Sequence, residues 1–559
     1  MSRKTFLRGI VASAILGATC VSVAWAGAVL APASGTSREG SGQPSIPGLT
    51  GRSGTDAAAP SSLAPSNAVL DRVAALASRQ PPGKGRMLAG AAKRSIAPRP
   101  IDYGGIWETD HDRCATLSAA TVKQLGVDPT SEAHLADTGS PWPENPNCIY
   151  QGGFGIGPMN PVRAFDTEYG LWIRAIAIGD GADTIVLVIV DGEGWFWDYG
   201  TKCDDCGSKQ IGQRLGTELG IDPSGIVIAA THSHAAPDFI GGWGFVPDWY
   251  MRQVTETIRA TAHDAVAAME PSVVEVGEVM ARGFNGERRD TYRSAEEQQL
   301  GWLRAWVPAR KGGGGRPPAP QRVIATLGAY AAHPTTKGTN DGVAHADWPG
   351  IFERSLEDRF GGIGFHFMTG LGNMSSRGDT GPGLAALVPD VGFGQPLGAG
   401  DLSVKRATWR QPATNVPLTA LGLPGFFDHQ FDPIPASVSV GKSENAPCAS
   451  ASPVSIEATA TAIRVGDLLA ITTGPGEEFS NLSNTIKEQA GAKVTMPLSQ
   501  ANDALGYMPQ SFELNPVGQQ GLGFAVGGYV FVNYEDSYAI DRCFGDMALE
   551  TTLGLLAAH

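Results

Sequence analysis

Long apolar runs alternate with amphipathic segments through most of this chain, and this alternation restricts the fold more than any other feature. The run "DTIVLVIVD" ends at Asp191, and the run "GIVIAATHSH" ends at His234. Between them, "SKQIGQRLGTEL" has the apolar spacing of a helix with one buried face. Apolar runs of strand length separated by helices are typical of a sheet that is covered on both faces. We therefore predict an α/β fold with a mixed, largely buried β-sheet core flanked by helices.

The same alternation continues toward the C-terminus. Strands are predicted in "RVIATLGAYAAHPT" and "GFHFMTGLGN", and helices in "PDWYMRQVTETIRATAHDAVAAM" and "DWPGIFERSLEDRF". Residues 376–452 are rich in Gly, Pro and Ala, so we expect loops there that shape the rim of a pocket. The segment "VSIEATATAIRVGDLLAITTGPGEE" then predicts a hairpin that ends at Glu477 and Glu478. His232 and His333 stand at the carboxyl ends of predicted strands, where the sites of such sheets form.

Composition and charge exclude one broad class of function. Of 559 residues, 42% are hydrophobic and 18% are charged, which is typical of a globular protein. The net charge is −14, and no basic stripe with interleaved aromatic residues is present to neutralise a phosphate backbone. We therefore expect no nucleic-acid partner.

The N-terminal residues have the features of an export signal. Three basic residues precede an uncharged stretch from Ile10 to Leu30, and Ala24 and Ala26 flank Trp25 as in an A-x-A cleavage site. An uncleaved anchor helix is the alternative. Residues 1–26 are thus predicted to be a signal peptide, and residues 27–86, rich in Gly, Ser, Pro and Ala, a disordered tether. The folded body is expected at 87–559, and the protein is expected to be secreted or located in the cell envelope.

The cysteines fit this location. Apart from Cys20, the chain has an even set of six, namely Cys114, Cys148, Cys203, Cys206, Cys448 and Cys543. Cysteines of an exported protein are expected to form disulfides, although the sequence does not choose among the pairings. The stretch "KCDDCG" also resembles a redox or zinc motif, but no second C-x-x-C accompanies it. We interpret it as a structural disulfide.

Three residues have the positions expected of zinc ligands. His232, His333 and Glu477 each end a strand or hairpin, and a Pro or Gly close to each would provide the turn that lets the side chain face outward. Hydrolytic zinc sites use N, O or S ligands in small numbers and keep one position open. Spacing alone leaves alternatives, because a histidine at a strand end is more often an ordinary hydrogen-bonded residue. His232 and His234 are therefore candidates for paired ligands, for one ligand beside an acid–base group, or for neither.

Several short motifs, in a characteristic order, support the interpretation of these residues as zinc ligands. "ATHSHAAPD", "AAHPT" and "GPGE" follow one another in the order found in the neutral, non-lysosomal ceramidase family. The stretches "AGAAKRSIAP", "VLVIVDGEG", "FNGERR", "HADWPG" and "NDALGYMPQ" also resemble segments of that family. The resemblance covers residues 87–559. It implies the fold of the ceramidase catalytic domain and zinc-dependent cleavage of N-acyl sphingosine.

The resemblance also implies roles for individual residues. It assigns four zinc ligands, His232, His333, Glu477 and Tyr507. His234 resembles the family's acid–base residue, and alternation along a strand would place it on the same face as His232, with Ser233 on the other. Zinc-bound water would attack the amide carbonyl, and His234 would protonate the departing amine.

The sequence departs from the family pattern near the reacting carbonyl. Gly286 follows Asn285 where the family has an arginine, so we assign Arg288 to that role, with Arg289 as the alternative. A second tyrosine of the family corresponds to Tyr529 or Tyr534, and we prefer Tyr529 as a catalytic residue. Asn373 in "GNMSS" replaces an acidic residue of the family. No counterpart of the family's C-terminal immunoglobulin-like domain is expected, since the chain ends soon after these motifs.

The sequence as a whole predicts an exported zinc-dependent amidohydrolase. The expected cofactor is Zn²⁺, and the expected partner is ceramide or a related lipid-like N-acyl amide, a substrate compatible with transient contact with a membrane surface. A zinc hydrolase of another amide or ester, and a surface protein that retains only the fold, are the alternatives. The sequence does not predict an oligomeric state. His345 and Asp347 are equally compatible with orienting a metal ligand and with starting a helix.

Overall fold

The computed structural model describes most of the chain after the expected tether. The described residues are 87–110, 113–114, 147–153, 160–200, 202–241, 246–289, 295–308, 320–423, 427–429, 431–441, 447–515 and 534–559. The predicted signal peptide and tether, Cys20 and Tyr529 lie outside these ranges. Within the described part, no helix has the length and apolar character needed to cross a membrane.

Strands and helices alternate along the described chain. The strands are β1 (Leu88–Ser95), β2 (Ala164–Phe165), β3 (Trp172–Gly179), β4 (Thr184–Val190), β5 (Ile226–Ala230), β6 (Glu270–Pro271), β7 (Val273–Met280), β8 (Asn285–Glu287), β9 (Gln299–Pro308), β10 (Pro320–Tyr330), β11 (Val343–Ala344), β12 (Ile363–Met368), β13 (Met374–Ser376), β14 (Gln395–Pro396), β15 (Leu402–Pro412), β16 (Ala436–Val440), β17 (Cys448–Ser452), β18 (Ser455–Val465), β19 (Leu469–Thr473), β20 (Glu477–Glu478), β21 (Val494–Leu498) and β22 (Tyr507–Met508). The helices are α1 (Pro100–Tyr103), α2 (Ser208–Leu219), α3 (Asp248–Ala267), α4 (Asp347–Phe360), α5 (Thr380–Leu387), α6 (Val416–Gly422), α7 (Ser480–Gln489) and α8 (Phe544–Ala557).

Three large sheets form the framework of the described residues. Their strand orders are β5-β4-β3-β1-β6 in the first sheet, β12-β10-β9-β7-β14 in the second and β15-β18-β19-β21 in the third. Most neighbouring strands are antiparallel, but the pair at one edge of each sheet is parallel: β4 with β5, β10 with β12, and β19 with β21. Short two-stranded pairs also form, among them β8 with β13 and β20 with β22. The predicted mixed α/β fold is confirmed.

One face of every large sheet packs into a shared core. Ile189 of β4, Leu327 of β10 and Ile471 of β19 all belong to this core. The opposite faces are covered by helices: α2 and α3 on the first sheet, α4 and α5 on the second, and α7 and α8 on the third. The strands are therefore buried on both sides, which explains why most of them appear in the sequence as continuous apolar runs.

Helix α2 shows how local sequence sets these elements. Its buried residues include Ile211, Leu215 and Leu219, which recur every fourth position and so face the first sheet together. The helix ends where Gly220 adopts a left-handed conformation with φ 67°, and its N–H donates to Gly216 O. Glycine takes this conformation without the steric cost of a side chain, so the predicted helix and its end are both explained.

One expectation about the loop-rich region is wrong. Besides loops, residues 376–452 contain α5, α6, β14, β16 and β17. They also contain β15, whose eleven residues pair with the full length of β18 in the third sheet. Most side chains of β15 are only partly buried, and three of them are Lys405, Arg406 and Arg410. A strand with so many polar side chains lacks the apolar run on which the other predictions relied.

The cysteines of the described residues form three disulfides. The pairs are Cys114–Cys148, Cys203–Cys206 and Cys448–Cys543. The C-x-x-C motif therefore closes on itself just before α2, in agreement with the structural interpretation. Cys448–Cys543 ties the start of β17 to the residue that precedes α8.

Candidate metal centre

The candidate ligands follow the parallel strands at the edges of the three sheets. His232 comes two residues after β5, His333 three residues after β10, and Glu477 four residues after β19. Each of these strands belongs to the parallel pair of its sheet, and the carboxyl ends of the three pairs meet at one place. The site is thus assembled from three sheets, as expected for residues at the carboxyl ends of strands.

The explanation predicted for His232 and His234 is wrong, although both side chains reach the same place. Strand β5 ends at Ala230, so neither histidine lies on a strand. His232 has φ 58°, a left-handed conformation that is uncommon outside glycine and that is found disproportionately at functional sites. The ring centroids of His232 and His234 are 5.1 Å apart, with the rings perpendicular. A turn, not strand alternation, brings them together.

Three imidazoles and one carboxylate converge in this turn region. Ligand atoms of His232, His234 and His333 all lie within 4.8 Å of one another, which is close enough to share one metal ion. Glu477 Oε2 lies 3.0 Å from His333 Nε2 and 3.4 Å from His232 Nε2. The structure therefore brings together three of the predicted ligands and the predicted acid–base residue, His234.

Hydrogen bonds to backbone carbonyls orient two of these rings. His232 Nδ1 lies 2.7 Å from Glu193 O, and His333 Nδ1 lies 2.8 Å from Leu371 O. An Nδ1–H that donates to a carbonyl leaves the Nε2 lone pair facing the Glu477 carboxylate, and this is the usual arrangement of zinc-binding histidines. Two imidazole Nε2 atoms directed at one carboxylate oxygen form a set of donor atoms that can bind a cation. The residues present therefore fit a divalent metal ion.

Tyr507 and Arg288 lie beside this cluster. Tyr507 is the register partner of Glu477 in the parallel pair β20–β22. Arg288 donates through Nη2 to Tyr507 Oη and to Gly372 O, both at 2.9 Å, and through Nε to Glu535 Oε1 at 2.6 Å. Arg288 thus contacts Tyr507, one of the predicted ligands.

The alternative arginine, Arg289, lies in other surroundings. Its Nη2 donates to Glu513 O at 2.7 Å and to Asp536 Oδ1 at 3.2 Å, and its guanidinium lies over the ring of Phe479. The contacts of Arg288 therefore favour it over Arg289 for the role beside the ligands. Tyr529, the tyrosine preferred from the sequence, lies outside the described residues.

The electrostatic environment of the cluster favours a cation. Burial lowers the pKa of His232, but the carboxylates of Glu193 and Glu477 outweigh burial and raise this pKa to about 9. Burial and the Arg288 guanidinium lower the pKa of His333 to about 4. Burial raises the pKa of Glu477, but the neighbouring His232 and His333 outweigh burial and leave this pKa below its usual value. Glu477 is therefore an anion that attracts positive charge into the cluster.

His234 differs from the other two histidines in its environment. Burial lowers its pKa well below the usual value, and the nearby His232 and His333 lower it further. Its side chain keeps 17% of its surface exposed, whereas that of His333 has none. His234 is thus the imidazole of the three that is most accessible from outside the cluster.

Glu193 is a site residue that the sequence analysis missed. Its side chain is buried, and its Oε1 lies 3.6 Å from His234 Nε2 and 3.8 Å from His232 Nδ1. It follows β4 by three residues, and β4 is the parallel neighbour of β5. The segment "DGEG" that follows the apolar run "VLVIV" was the signal that could have identified it, since Glu193 is the second of its two acidic residues.

Asp347 has a structural role in the described residues. It is the first residue of α4 and has φ 57°. Its carboxylate accepts hydrogen bonds from Thr336 Oγ1 at 2.5 Å, from Lys337 N at 2.6 Å and from Trp348 N at 2.6 Å. Of the two interpretations left open by the sequence, these contacts favour the start of a helix over the orientation of a metal ligand.

Fold and site together define a mixed α/β protein with a buried histidine–carboxylate centre at the junction of its sheets. Among solved structures, the chain is similar to the neutral ceramidase of Pseudomonas aeruginosa, with a TM-score of 0.54 and 13% sequence identity over 85% of this chain and 74% of that chain. A structure of ceramidase complexed with C2 matches equally well, with a TM-score of 0.54, 13% identity and coverage of 85% and 75%. No protein-family model matches the sequence, and no curated protein matches it significantly. The chain therefore has the neutral-ceramidase fold, as the motifs predicted.

Proposed function

We propose that this protein is a zinc-dependent amidohydrolase that cleaves the N-acyl amide bond of ceramide or a related lipid amide. The observation that carries the proposal is the convergence of His232, His333 and Glu477, with both Nε2 atoms directed at one carboxylate oxygen. The ceramidase fold and the order of the sequence motifs support the substrate class. The three disulfides and the N-terminal sequence support export.

The proposed metal ligands are His232, His333, Glu477 and Tyr507. Bound zinc would lower the pKa of a water molecule toward neutrality and polarise the amide carbonyl. The two histidines are held for this task by their carbonyl partners, Glu193 O and Leu371 O. Glu477 supplies negative charge, and its backbone pairing with Tyr507 fixes the distance between these two ligands.

The remaining residues act on the substrate. Hydrolysis adds hydroxyl to the acyl carbon and a proton to the amine, and the amine leaves only once it is protonated. Burial lowers the pKa of His234, so its imidazole is neutral and would first accept a proton from the attacking water. We assign to His234, which retains exposure to the outside, the transfer of that proton to the amine. We assign Arg288 to the negative charge that develops on the carbonyl oxygen, because its guanidinium is fixed by Glu535 and Gly372 next to Tyr507.

The proposal is tested by hydrolysis of N-acyl amides of graded acyl length, with and without a chelator. We expect cleavage that increases with chain length, disappears on chelation and returns with added zinc. His333→Ala serves as the matched control, since it removes one ligand. Cleavage that favours short polar amides would replace the lipid substrate with another amide, and protein that binds no zinc would contradict the enzyme assignment altogether.

A further inference from the structure

Glu193 contacts the candidate centre with both its backbone and its side chain. Its carbonyl oxygen lies 2.7 Å from His232 Nδ1, and its carboxylate Oε1 lies 3.8 Å from the same ring and 3.6 Å from His234 Nε2. The side chain is 1% exposed. One residue therefore lies against the proposed metal ligand and against the proposed acid–base residue.

Close packing fixes the position of this side chain. A Cβ on Gly152 would lie 2.3 Å from Glu193 Cβ, and a Cβ on the next residue, Gly153, would lie 2.3 Å from His234 Cβ. Only glycine allows the backbone to approach both side chains this closely. The backbone of Glu193 is held as well, since its N–H donates to Pro237 O. Neither the Glu193 side chain nor the His234 side chain has room to rotate toward the backbone of Gly152 and Gly153.

The surroundings of Glu193 also restrict its charge. Among the described residues, the basic groups within 4 Å of its carboxylate are those of His232 and His234. A buried carboxylate is stable as an anion only when a cation or several hydrogen-bond donors compensate it. A metal ion held by Nε2 of His232 would supply that compensating charge.

We infer that Glu193 is a positioning residue of the metal centre, which fixes the ring of His232 through its carbonyl and orients His234 through its carboxylate. This inference rests on the proposed metal-dependent function. With a metal ion bound, the carboxylate would add negative charge beside His232, and its contact with His234 would keep that imidazole in place for proton transfer. Groups that orient metal ligands in this way typically contribute 10- to 100-fold to metal affinity or activity.

The test compares Glu193→Gln with the unmodified protein. The metal-free form of each is titrated with Zn²⁺ and with Co²⁺. Gln preserves the shape of the side chain and the backbone carbonyl but removes the charge. We expect roughly 10- to 100-fold weaker binding of both ions, a shifted visible absorption spectrum of the Co²⁺ form, and a fall in kcat that exceeds any change in KM. Glu193→Asp, which keeps the charge, should recover part of the affinity.

Glu275→Gln is the matched control, because Glu275 is buried to a similar extent but pairs with Arg304 in the second sheet. It should bind both ions as the unmodified protein does. If Glu193→Gln bound zinc and cobalt with unchanged affinity and an unchanged cobalt spectrum, this inference alone would be overturned, whatever its effect on melting temperature. If the unmodified protein bound neither ion, the proposed metal centre would fail, and the inference with it.

Discussion

Glu477 and Tyr507 are backbone partners in the parallel pair β20–β22, and Glu477 N donates to Gly506 O at 2.8 Å. The backbones of two proposed ligands are therefore held in a fixed register, independently of their side chains. The other two, His232 and His333, are fixed through Nδ1. These contacts would hold the proposed ligands in place before an ion binds, as a preorganised metal site requires.

The first prediction concerns the ligands. His232→Ala, His333→Ala and Glu477→Gln should each lower zinc occupancy substantially, because each removes one of only a few donors. Zinc content is measured by mass spectrometry after exhaustive buffer exchange. His263→Ala is the control, since His263 pairs with Glu218 and does not belong to the cluster. Stoichiometric zinc in all three variants would show that the ligands are misassigned.

The second prediction separates proton transfer from metal binding. His234→Ala should retain zinc and lose roughly 10²- to 10⁴-fold in turnover of an amide, the usual contribution of an acid–base group. The loss should be smaller for an activated ester, whose leaving group needs no proton. Because His234 lies within reach of the metal site, zinc content is measured in parallel. Loss of zinc would make His234 a ligand, and equal losses on both substrates would exclude the leaving-group role.

The third prediction concerns Arg288 and Glu535. Arg288→Ala should lower the free energy of unfolding by about 3–5 kcal/mol, because it leaves the buried Glu535 carboxylate unpaired. It should also lower kcat by about 10²- to 10³-fold. The double variant Arg288→Met, Glu535→Gln should regain most of the stability, measured by urea unfolding, but not the turnover. Recovery of both would mean that Arg288 serves only the fold.

The fourth prediction concerns acid stability. His366 is fully buried, its ring lies 4.4 Å from that of Trp348, and neither ring nitrogen has a hydrogen-bond partner among the described residues. Burial lowers its pKa to about 3, below the ordinary value of 6.5. The unfolded chain therefore binds a proton more readily than the folded protein, and stability present above pH 6.5 is lost as the pH falls toward 3.

Replacement of His366 by Phe, which keeps a ring of similar size, should remove this dependence. Both proteins should lose stability between pH 7.5 and pH 4. The decrease in the free energy of unfolding should be smaller in His366→Phe than in the unmodified protein, by up to about 3 kcal/mol. Urea unfolding at several pH values measures the difference, with His263→Ala as the control, since His263 is partly buried and pairs with Glu218. Parallel curves for His366→Phe and the unmodified protein would contradict the prediction.

Much of the fold could be predicted because burial on two sides makes a strand apolar along its whole length. The segments that became β4, β5, β10 and β12 were all identified in this way, and α2 and α4 match their predicted segments. Turn residues after these strands made His232, His333 and Glu477 candidates, but the family resemblance was needed to propose them as ligands. Neither the prediction of these elements nor the choice of candidate ligands required knowing which strands are neighbours in a sheet.

The remaining features depend on tertiary contacts that no local pattern encodes. Glu193 reaches the histidines because β4 pairs in parallel with β5, and the sequence does not specify that pairing. The left-handed conformation at His232 could not be predicted, because the residue that adopts it is not a glycine. Strand β15 is stabilised by pairing along β18 while most of its side chains remain partly exposed, so its sequence reads as a loop.

The meeting of three sheets at one cluster has a thermodynamic consequence. An ion held by His232, His333 and Glu477 would be bound by one residue from each of the three large sheets. Separating any two of these sheets would then break at least one bond to the ion. Folding and metal binding are then linked, and at a free ion concentration 100 times the Kd the folded state gains about 2.7 kcal/mol. The melting temperature of this protein should therefore rise with the free zinc concentration, and the size of the rise measures how strongly folding and metal binding are linked.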